Sequence, residues 1–309
     1  MKKSLGLLSF LAMGALAPVQ ANDVSCCNAP GKDFPKVGGN YGNQNYTALS
    51  QINKATISRL GAVWHDNLEG GSKSTYQQAS VVVVDGVIFA ETSQGNVYAV
   101  DGKTGQIKWS YKGGFGTQFR RGLAVGDGKV YAAFGGFHIA ALDQKTGALI
   151  WQNQVLKDDV TPGFVNGSLK TAIVYYDGLL YFGTADSSRG AAWAVNAGTG
   201  AVVWKFFGAP GNGEFGNETW EGDSWKTGGA SPWMHPAIDP ELGLVYFTFG
   251  NARAGAPTDG SQRAGQNLFA NSLVALDAKT GKRAWHFQSV HHDIWDMDNV
   301  MAPVLADVP

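Results

Sequence analysis

Short apolar runs, separated by polar turns that contain Gly, recur along this chain. Four stretches share one pattern, in which an apolar strand runs into Asp-x-x-Thr-Gly (with Asn for Asp once) and a second strand ends in Trp; they are residues 99–109, 141–151, 194–204 and 275–285. The Asp oxygen can accept hydrogen bonds from turn amides and Gly adopts positive φ readily, so each stretch predicts a tight turn between antiparallel strands. The Trp ring is broad enough to fill the space between neighbouring sheets.

Two further strands are predicted ahead of each of the first three stretches, each pair around an Asp-Gly turn. The pairs are Val81 to Phe89, Leu123 to Ala133 and Ile173 to Phe182. Each repeat then forms a four-stranded antiparallel sheet, and the 42 residues from Trp109 to Trp151 are typical of a β-propeller blade. We therefore predict an all-β fold, a β-propeller with tryptophan-docking repeats, of which about four to five blades are present. Because so few blades close only an unusually small propeller, we expect the chain to be the first part of a longer one.

The later repeats are further apart, at 53 residues from Trp151 to Trp204 and 81 residues from Trp204 to Trp285. Much of the excess lies between Gly208 and Gly229, a segment rich in Gly, Glu and Trp that predicts a long loop on one face. The composition agrees with an all-β protein, with 42 glycines and 10 tryptophans. A net charge of −1 leaves no basic surface for nucleic acid.

The first residues have the features of a secretory signal. A charged start at Met1-Lys2-Lys3 is followed by an apolar run from Leu5 to Ala17 and a small-x-small ending at Ala21. The apolar run is shorter than the roughly 20 residues of a membrane span, so we expect export to the periplasm. We assign residues 1–21 to the signal peptide, 22–60 to an N-terminal segment and 61–309 to the blades. The only cysteines, Cys26 and Cys27, are adjacent, and their role stays open.

The stretch 291–298, His-His-Asp-Ile-Trp-Asp-Met-Asp, places two imidazoles and three carboxylates in eight residues. Carboxylates so close repel each other unless a cation or shared protons hold them together, so the stretch indicates a metal site, a catalytic base, or both. His291 and His292 are candidate zinc ligands, but adjacent histidines point apart on a strand.

Position within the repeat brings other polar residues toward the same place. Arg121 lies 12 residues after Trp109 and Asp296 lies 11 after Trp285, so both are expected near the propeller axis on one face. Asn251 and Asp186 follow predicted strands of their own blades. Their oxygens, with those of Asp296, suit Ca²⁺ or a similar hard cation better than zinc.

Each of these residues also has a structural interpretation that the sequence leaves open. Arg121 could form an ion pair near a turn, Asp186 could cap a turn, and Asn251 after Gly250 could be a left-handed turn residue. The crowded acids around Asp296 are harder to explain without a functional site.

The tandem Trp-ending repeats and the His-Asp-x-Trp-Asp block resemble the quinoprotein dehydrogenases, which carry pyrroloquinoline quinone (PQQ) in an eight-bladed propeller. The segments 45–53 and 220–225 are also similar to that family. The resemblance implies PQQ and Ca²⁺ as cofactors, with a lanthanide as the other possible cation. It further implies one role for each matching residue: Asp296 as general base and metal ligand, Asn251 as metal ligand, Trp233 as the floor under the quinone with Ser231 beside it, Arg121 as a residue that bonds the quinone, and Gln78 at the place of a cofactor-contacting Glu.

The chain departs from the methanol and ethanol enzymes at three places. Phe115 and Gly116 stand where those enzymes have an adjacent-cysteine disulfide. Ala185 stands where they have a metal-binding Glu, and Asp186 is the expected substitute ligand. Asp298, two residues after the expected base, resembles the glucose-dehydrogenase branch and also lanthanide-using alcohol dehydrogenases, so it is a further candidate metal ligand.

The resemblance implies a periplasmic PQQ-dependent dehydrogenase that oxidises an alcohol, polyol or aldose and passes electrons to cytochrome c or a membrane quinone. No Cys-x-x-Cys-His haem motif occurs in this sequence. The alternative is a non-catalytic β-propeller scaffold of the cell envelope that binds protein partners. A scaffold has no need of Trp233, Asn251 and Asp296 at their matching places, and this distinguishes the two hypotheses.

Overall fold

The computed structural model describes residues 30–71, 77–114, 120–155, 168–185, 188–253, 259–299 and 301–307. Over these residues the chain forms four antiparallel sheets of four strands each, and in every sheet the strands lie side by side in chain order. The first sheet contains β1 Val82–Val84, β2 Val87–Glu91, β3 Asn96–Asp101 and β4 Ile107–Lys112. The second contains β5 Ala124–Gly126, β6 Lys129–Phe134, β7 His138–Asp143 and β8 Leu149–Gln154.

The third sheet contains β9 Val174–Tyr176, β10 Leu179–Gly183, β11 Ala191–Asn196 and β12 Val202–Phe207. The fourth contains β13 Ala237–Asp239, β14 Leu244–Phe249, β15 Ser272–Asp277 and β16 Arg283–Gln288. Helical structure in the described ranges is limited to short 3₁₀ segments at Ile57–Arg59, Leu68–Gly71, Gly135–Phe137, Asn217–Thr219 and Ser224–Thr227. Among the same residues, none of these helices has the length or apolar character needed to cross a membrane.

The repeated turn has the predicted geometry in all four sheets. In the second sheet, Asp143 Oδ1 accepts hydrogen bonds from Lys145 N at 3.1 Å, Thr146 N at 2.8 Å and Thr146 Oγ1 at 2.8 Å. Gly147 follows with φ +71°, a conformation that suits glycine. The same three bonds form at Asp101, Asn196 and Asp277. The turn prediction is confirmed.

Where another sheet follows in the chain, the Trp at the end of a repeat packs against the glycine in the Asp-x-x-Thr-Gly turn of that next sheet. The Trp109 ring lies so close to Gly147 that a Cβ there would be 2.5 Å from the indole, and Trp109 Nε1 donates to Gln144 O at 3.1 Å. The same packing joins Trp151 to Gly200, Trp204 to Gly281 and Trp64 to Gly105. Trp64 was not among the repeats in the sequence, because no Asp-x-x-Thr-Gly turn precedes it. The tryptophans therefore link neighbouring blades, as predicted.

The apolar core lies between neighbouring sheets. Between the second and third sheets, Tyr131 stacks on Tyr175 with centroids 5.6 Å apart, and Phe182 and Trp193 are buried beside them. Similar clusters fill the spaces between the first and second sheets and between the third and fourth. The first strands of successive sheets contact one another, β1 with β5 and β5 with β9, which places them nearest the common axis. This is the arrangement of propeller blades.

Candidate cofactor and metal site

A cavity of about 240 Å³ opens where the axial ends of the sheets meet. Its lining consists of Gln78, Arg121, Lys170, Ala185, Gly229, Ala230, Ser231, Trp233, Gly250, Asn251, Arg253 and Asp298. Six of the eight predicted site residues are in this lining: Gln78, Arg121, Ser231, Trp233, Asn251 and Asp298. Asp296 is joined to it through Asn251. The eighth, Asp186, lies outside the described residues, as do Phe115, Gly116, Cys26, Cys27 and the predicted signal peptide.

Trp233 presents a half-buried indole to the cavity. Its backbone is held by Ser231, whose carbonyl accepts both Trp233 N at 3.1 Å and Gly250 N at 3.0 Å. The Arg121 guanidinium lies over the indole, 4.7 Å from the ring centre, in a cation–π contact. The guanidinium therefore covers one face of the indole in this structure.

Two carboxylates of the 291–298 stretch, Asp296 and Asp298, contact Asn251, which follows β14. The side-chain amide of Asn251 donates to Asp296 Oδ1, and Asn251 N donates to Asp298 Oδ1 at 2.5 Å. A Cβ at Gly250 would lie 2.4 Å from Asp298 Oδ1, so only glycine leaves room for this carboxylate. Asn251 Nδ2 is engaged by Asp296, so Oδ1 is the atom that would face a cation. The carboxylates of Asp296 and Asp298 thus reach Asn251, although they lie 45 and 47 residues further along the chain.

The half-buried Asp298 carboxyl has a raised pKa because burial disfavours its charged form. The neighbouring Asp296 charge raises it further, while the hydrogen bond from Asn251 N and the Arg253 charge act in the opposite direction. A bound cation would relieve the repulsion between these two carboxylates. Over the described residues, however, no three His, Cys, Asp or Glu side chains gather into a cluster.

Two cations of the cavity were missed by the sequence reasoning. Lys170 lies just before β9 and Arg253 two residues after Asn251, and both line the cavity together with Arg121. Three cationic side chains around one cavity favour an anionic ligand. Nothing in the local sequence marks either residue, since a single Lys or Arg near a strand end is most often solvated.

The adjacent histidines do not form a zinc site with each other. The ring of His292 donates from Nδ1 to Gly265 O at 2.8 Å, against the loop that precedes β15, while His291 is exposed. His292 also packs against Gly260, where a Cβ would be 2.5 Å from Nε2. Both contacts give His292 a structural place beside the 259–266 loop.

Two buried ionisable residues, Glu91 and Arg120, lie behind Arg121. Glu91, at the end of β2, is 3% exposed and accepts a hydrogen bond from Gly122 N at 3.0 Å. Arg120 is 1% exposed and donates to Leu169 O at 2.9 Å. Burial raises the pKa of Glu91 to about 7, although the Arg120 charge and the Gly122 amide both act to lower it. The residues on both sides of Arg121 are thus anchored in the core, which leaves its side chain to reach the cavity.

The 208–229 segment is the predicted long loop, and it packs closely against the site. Trp220 and Trp225 are buried with Ala209, Ala230 and Ala252, so the loop has a small core of its own. Arg189 holds it to the third sheet, because its guanidinium pairs with the Glu214 carboxylate and lies 3.6 Å from the Phe207 ring centre. The loop thereby fixes Gly229 and Ala230 in the cavity wall.

Comparison with known proteins identifies a family whose model matches most of this chain. The model described as "PQQ: Glucose/ethanol/alcohol dehydrogenase, beta-propeller domain" matches residues 34–132 and 168–309. Quinoprotein alcohol dehydrogenase PedH of Pseudomonas putida is 34% identical over 283 residues, covering 83% of this chain and 46% of the relative. Lupanine 17-hydroxylase [cytochrome c] of a Pseudomonas species is 31% identical over 322 residues, covering 96% and 45%. The chain thus spans about half the length of the curated relatives it matches.

Solved structures agree with the sequence matches. Quinohemoprotein alcohol dehydrogenase from Comamonas testosteroni superposes with a TM-score of 0.78 at 31% identity, covering 89% of this chain and 44% of that one. A europium-containing methanol dehydrogenase superposes with a TM-score of 0.78 at 26% identity, covering 89% and 52%.

Proposed function

We propose that this chain, which belongs to the family of PQQ-dependent glucose, ethanol and alcohol dehydrogenase β-propellers, forms part of a periplasmic dehydrogenase. This part contains the general base of the reaction. Its substrate would be an alcohol, polyol or aldose. The observation that carries this proposal is a cavity lined by an indole, three cations, Asn251 and Asp298, with Asp296 hydrogen-bonded to Asn251 at its edge. Residues 22–60 and 61–309 would act as the N-terminal segment and the blades.

The residues around the cavity fit PQQ, which is planar and carries several carboxylates. Trp233 would support one face of the ring, and Arg121 would leave its place over the indole and bond the quinone. Lys170 and Arg253 supply positive charge where carboxylates would bind. Gln78 and Ser231 add polar groups to the same wall. When bound, PQQ supplies the two-electron acceptor for the oxidation.

The oxygens of Asn251, Asp296 and Asp298 fit a hard cation such as Ca²⁺ or a lanthanide. When bound, the cation acts as a Lewis acid at the quinone. A europium-containing methanol dehydrogenase is among the similar structures, which supports a lanthanide as the alternative to Ca²⁺. Asp186, expected as a further ligand, remains a proposal.

Asp296 is the proposed general base. Its carboxylate is exposed, next to the cavity, and bonded to the Asn251 amide, so it is accessible to a substrate hydroxyl. Taking up the hydroxyl proton at this carboxylate would assist loss of hydride from the substrate carbon. The electrons would then leave to cytochrome c or to a membrane quinone, and some of the relatives are cytochrome c-linked by name.

The test is reconstitution of the protein expressed from its natural gene. It is incubated with PQQ and either Ca²⁺ or a lanthanide, and reduction of an artificial dye is followed with a panel of alcohols and sugars. We expect a PQQ-dependent rate with at least one cation, and no such rate with any cation would refute the proposal. Asp296→Asn should abolish turnover while retaining PQQ binding, so wild-type rates in this variant would refute the base assignment. Recovery of protein cleaved after Ala21 from the periplasm tests the proposed location.

A further inference from the structure

The turn that bears Asp296 and Asp298 is built around the buried carboxylate of Asp293. Asp293 is 3% exposed, and its Oδ1 accepts a hydrogen bond from Trp295 N at 2.9 Å while Oδ2 accepts one from Met297 N at 2.8 Å. Hydrogen bonds from backbone amides to a carboxylate are stronger than those between neutral groups. Asp293 therefore fixes the backbone on both sides of Asp296.

Asp296 needs such support because its backbone is left-handed, with φ +60°. This conformation disfavours residues other than glycine, and a side chain held there depends on surrounding structure for its stability. The two amides bonded by Asp293 belong to the residues immediately before and after Asp296. The conformation that directs Asp296 toward Asn251 is thus maintained by a carboxylate that does not itself line the cavity.

Asn271 connects this turn to the opposite wall of the site. It is fully buried, and its Nδ2 donates to Met297 O at 2.5 Å and to Asp293 Oδ2 at 3.3 Å. Its backbone N donates to Gly250 O at 2.9 Å, directly before Asn251. The side chains of Asp293 and Asn271, together with the Asn271 backbone amide, therefore fix the positions of Asn251, Asp296 and Asp298 relative to one another.

A buried counter-charge accompanies this pair. Arg263 is 1% exposed, its Nη2 donates to the Asp293 carbonyl, and its Nη1 donates to Asn267 Oδ1 at 2.7 Å. A buried carboxylate with amide donors and a nearby guanidinium is tolerated, whereas one left without these partners is costly. Asp293 therefore has these partners around it, and its two oxygens accept hydrogen bonds from the backbone of the turn.

We propose that Asp293, acting with Asn271, is a positioning residue that sets the geometry of the base Asp296 and the metal ligand Asp298. This inference rests on the proposed function. Asp293 binds neither substrate nor cation, and it acts through the amides of Trp295 and Met297. Its removal should therefore affect turnover and cation binding more than PQQ binding, because Trp233 is held by separate contacts through Ser231.

The test uses Asp293→Asn in the protein expressed from its natural gene. The side chain keeps its shape, but its amide nitrogen faces a backbone N–H, so one of the two bonds is lost. We expect kcat to fall about 10- to 100-fold with little change in KM, because small displacements of a reacting group have effects of this size. Terbium(III), titrated by its luminescence, should bind about ten-fold more weakly. Hydrogen exchange at the Met297 amide should accelerate.

Asp239→Asn is the control for replacing a turn-capping aspartate away from the site. Asp239 also accepts two turn amides, Glu241 N at 2.9 Å and Leu242 N at 3.0 Å, but in a turn that bears no site residue. Asn271→Gly is the second variant, because Gly tolerates the left-handed backbone at this position (φ +50°) and lacks the bonding side chain. The double variant Asp293→Asn/Asn271→Gly should be little worse than either single variant.

A folded Asp293→Asn protein with wild-type kcat, terbium affinity and Met297 exchange would overturn the inference. Equal losses of kcat in Asp293→Asn and Asp239→Asn would also overturn it, since the effect would then be one of general stability. If the wild-type protein binds neither PQQ nor terbium, the proposed function fails. Even then, the Met297 exchange rate reports whether Asp293 holds the turn.

Discussion

Replacing the buried Glu91 by Gln should change how the stability of this protein depends on pH. Glu91 is 3% exposed, and in the described part of the chain its Oε2 has no hydrogen-bond partner. Burial penalises the ionised carboxylate and raises its pKa from 4.5 to about 7. Gln has nearly the same shape, can still accept the Gly122 amide through Oε1, and does not ionise.

The sign of the effect follows from the raised pKa. In the unfolded chain Glu91 ionises near its ordinary pKa, whereas in the folded protein it stays protonated until about pH 7. Its contribution to stability is therefore fully present below about pH 4.5 and is lost as the pH rises through about 7. At about 1.4 kcal/mol per pH unit, this pKa change corresponds to about 3 kcal/mol. The neighbouring Arg120, whose pKa is lowered to about 10, stays charged throughout this range.

The assay is urea-induced unfolding of the wild type and of Glu91→Gln, followed by Trp fluorescence between pH 4.5 and 8. We expect the free energy of unfolding of the wild type, relative to the variant, to fall by up to about 3 kcal/mol across this range. His235, with a pKa lowered to about 3 by burial, and Lys36, with one lowered to about 7, have pH dependences of their own. Both are present in both proteins, so they cancel in the difference.

Glu241→Gln, at an exposed turn, is the control for loss of one surface charge. A difference between wild type and Glu91→Gln that stays constant with pH, or that favours the wild type as the pH rises, would refute the reasoning. It would show that Arg120 or water stabilises the ionised carboxylate fully. The expected slope would instead show that the anchor beside Arg121 is protonated through the acidic range.

Three further predictions concern blade docking, the cavity wall and cofactor binding. Trp204→Ala should lower the free energy of unfolding by about 3–5 kcal/mol, measured by chemical unfolding. Trp204→Phe should lower it by less, since Phe keeps part of the ring packing while losing the rest and the bond to Ala278 O. Gly183→Ala should destabilise by at least about 2 kcal/mol in thermal unfolding, because its Cβ would lie 1.8 Å from Pro232 O. Lys170→Met should weaken PQQ binding by about ten-fold, with a shallower salt dependence in a fluorescence titration.

Each of these has a result that would contradict it. Equal losses in both Trp204 variants would mean that the ring does not dock by packing. Wild-type stability in Gly183→Ala would show that the wall beside Pro232 moves freely. Unchanged PQQ affinity and salt dependence in Lys170→Met would show that this lysine is not part of the binding site. Lys145→Met, at an exposed turn, is the control for loss of one positive charge.

The family resemblance and the propeller fold were predictable because their signals are local. A turn such as Asp143 to Gly147 closes its hydrogen bonds within five residues, so its sequence pattern specifies its geometry directly. The resemblance in the last third of the chain also identified Trp233, Asn251 and Asp298 before their cavity was known. The family match confirms the resemblance, whereas the role of each residue stays a prediction.

Other parts of the site could not be predicted, because nothing in the local sequence distinguishes the residues concerned. Asp293 stood in the acidic stretch as one carboxylate among three, and only its burial and its bonds to Trp295 N and Met297 N separate it from Asp296. Glu91 is an acid at the end of β2, and nothing in the local sequence shows that it is buried. The Arg120 charge that acts on it belongs to the next blade, and the sequence does not show that the two residues are close.

The sequence by itself determined the repeat unit, its turns and the tryptophans that link the blades, since each depends on contacts within one unit or on a fixed repeat interval. Only the tertiary structure decided which polar groups meet at the axis. Asn251 and Asp296 are 45 residues apart, and Lys170 joins them from another sheet. A buried charge is stable only beside partners that compensate for the hydration it loses, and the packing of the sheets determines which residues those partners are. That selection turns scattered polar residues into one site.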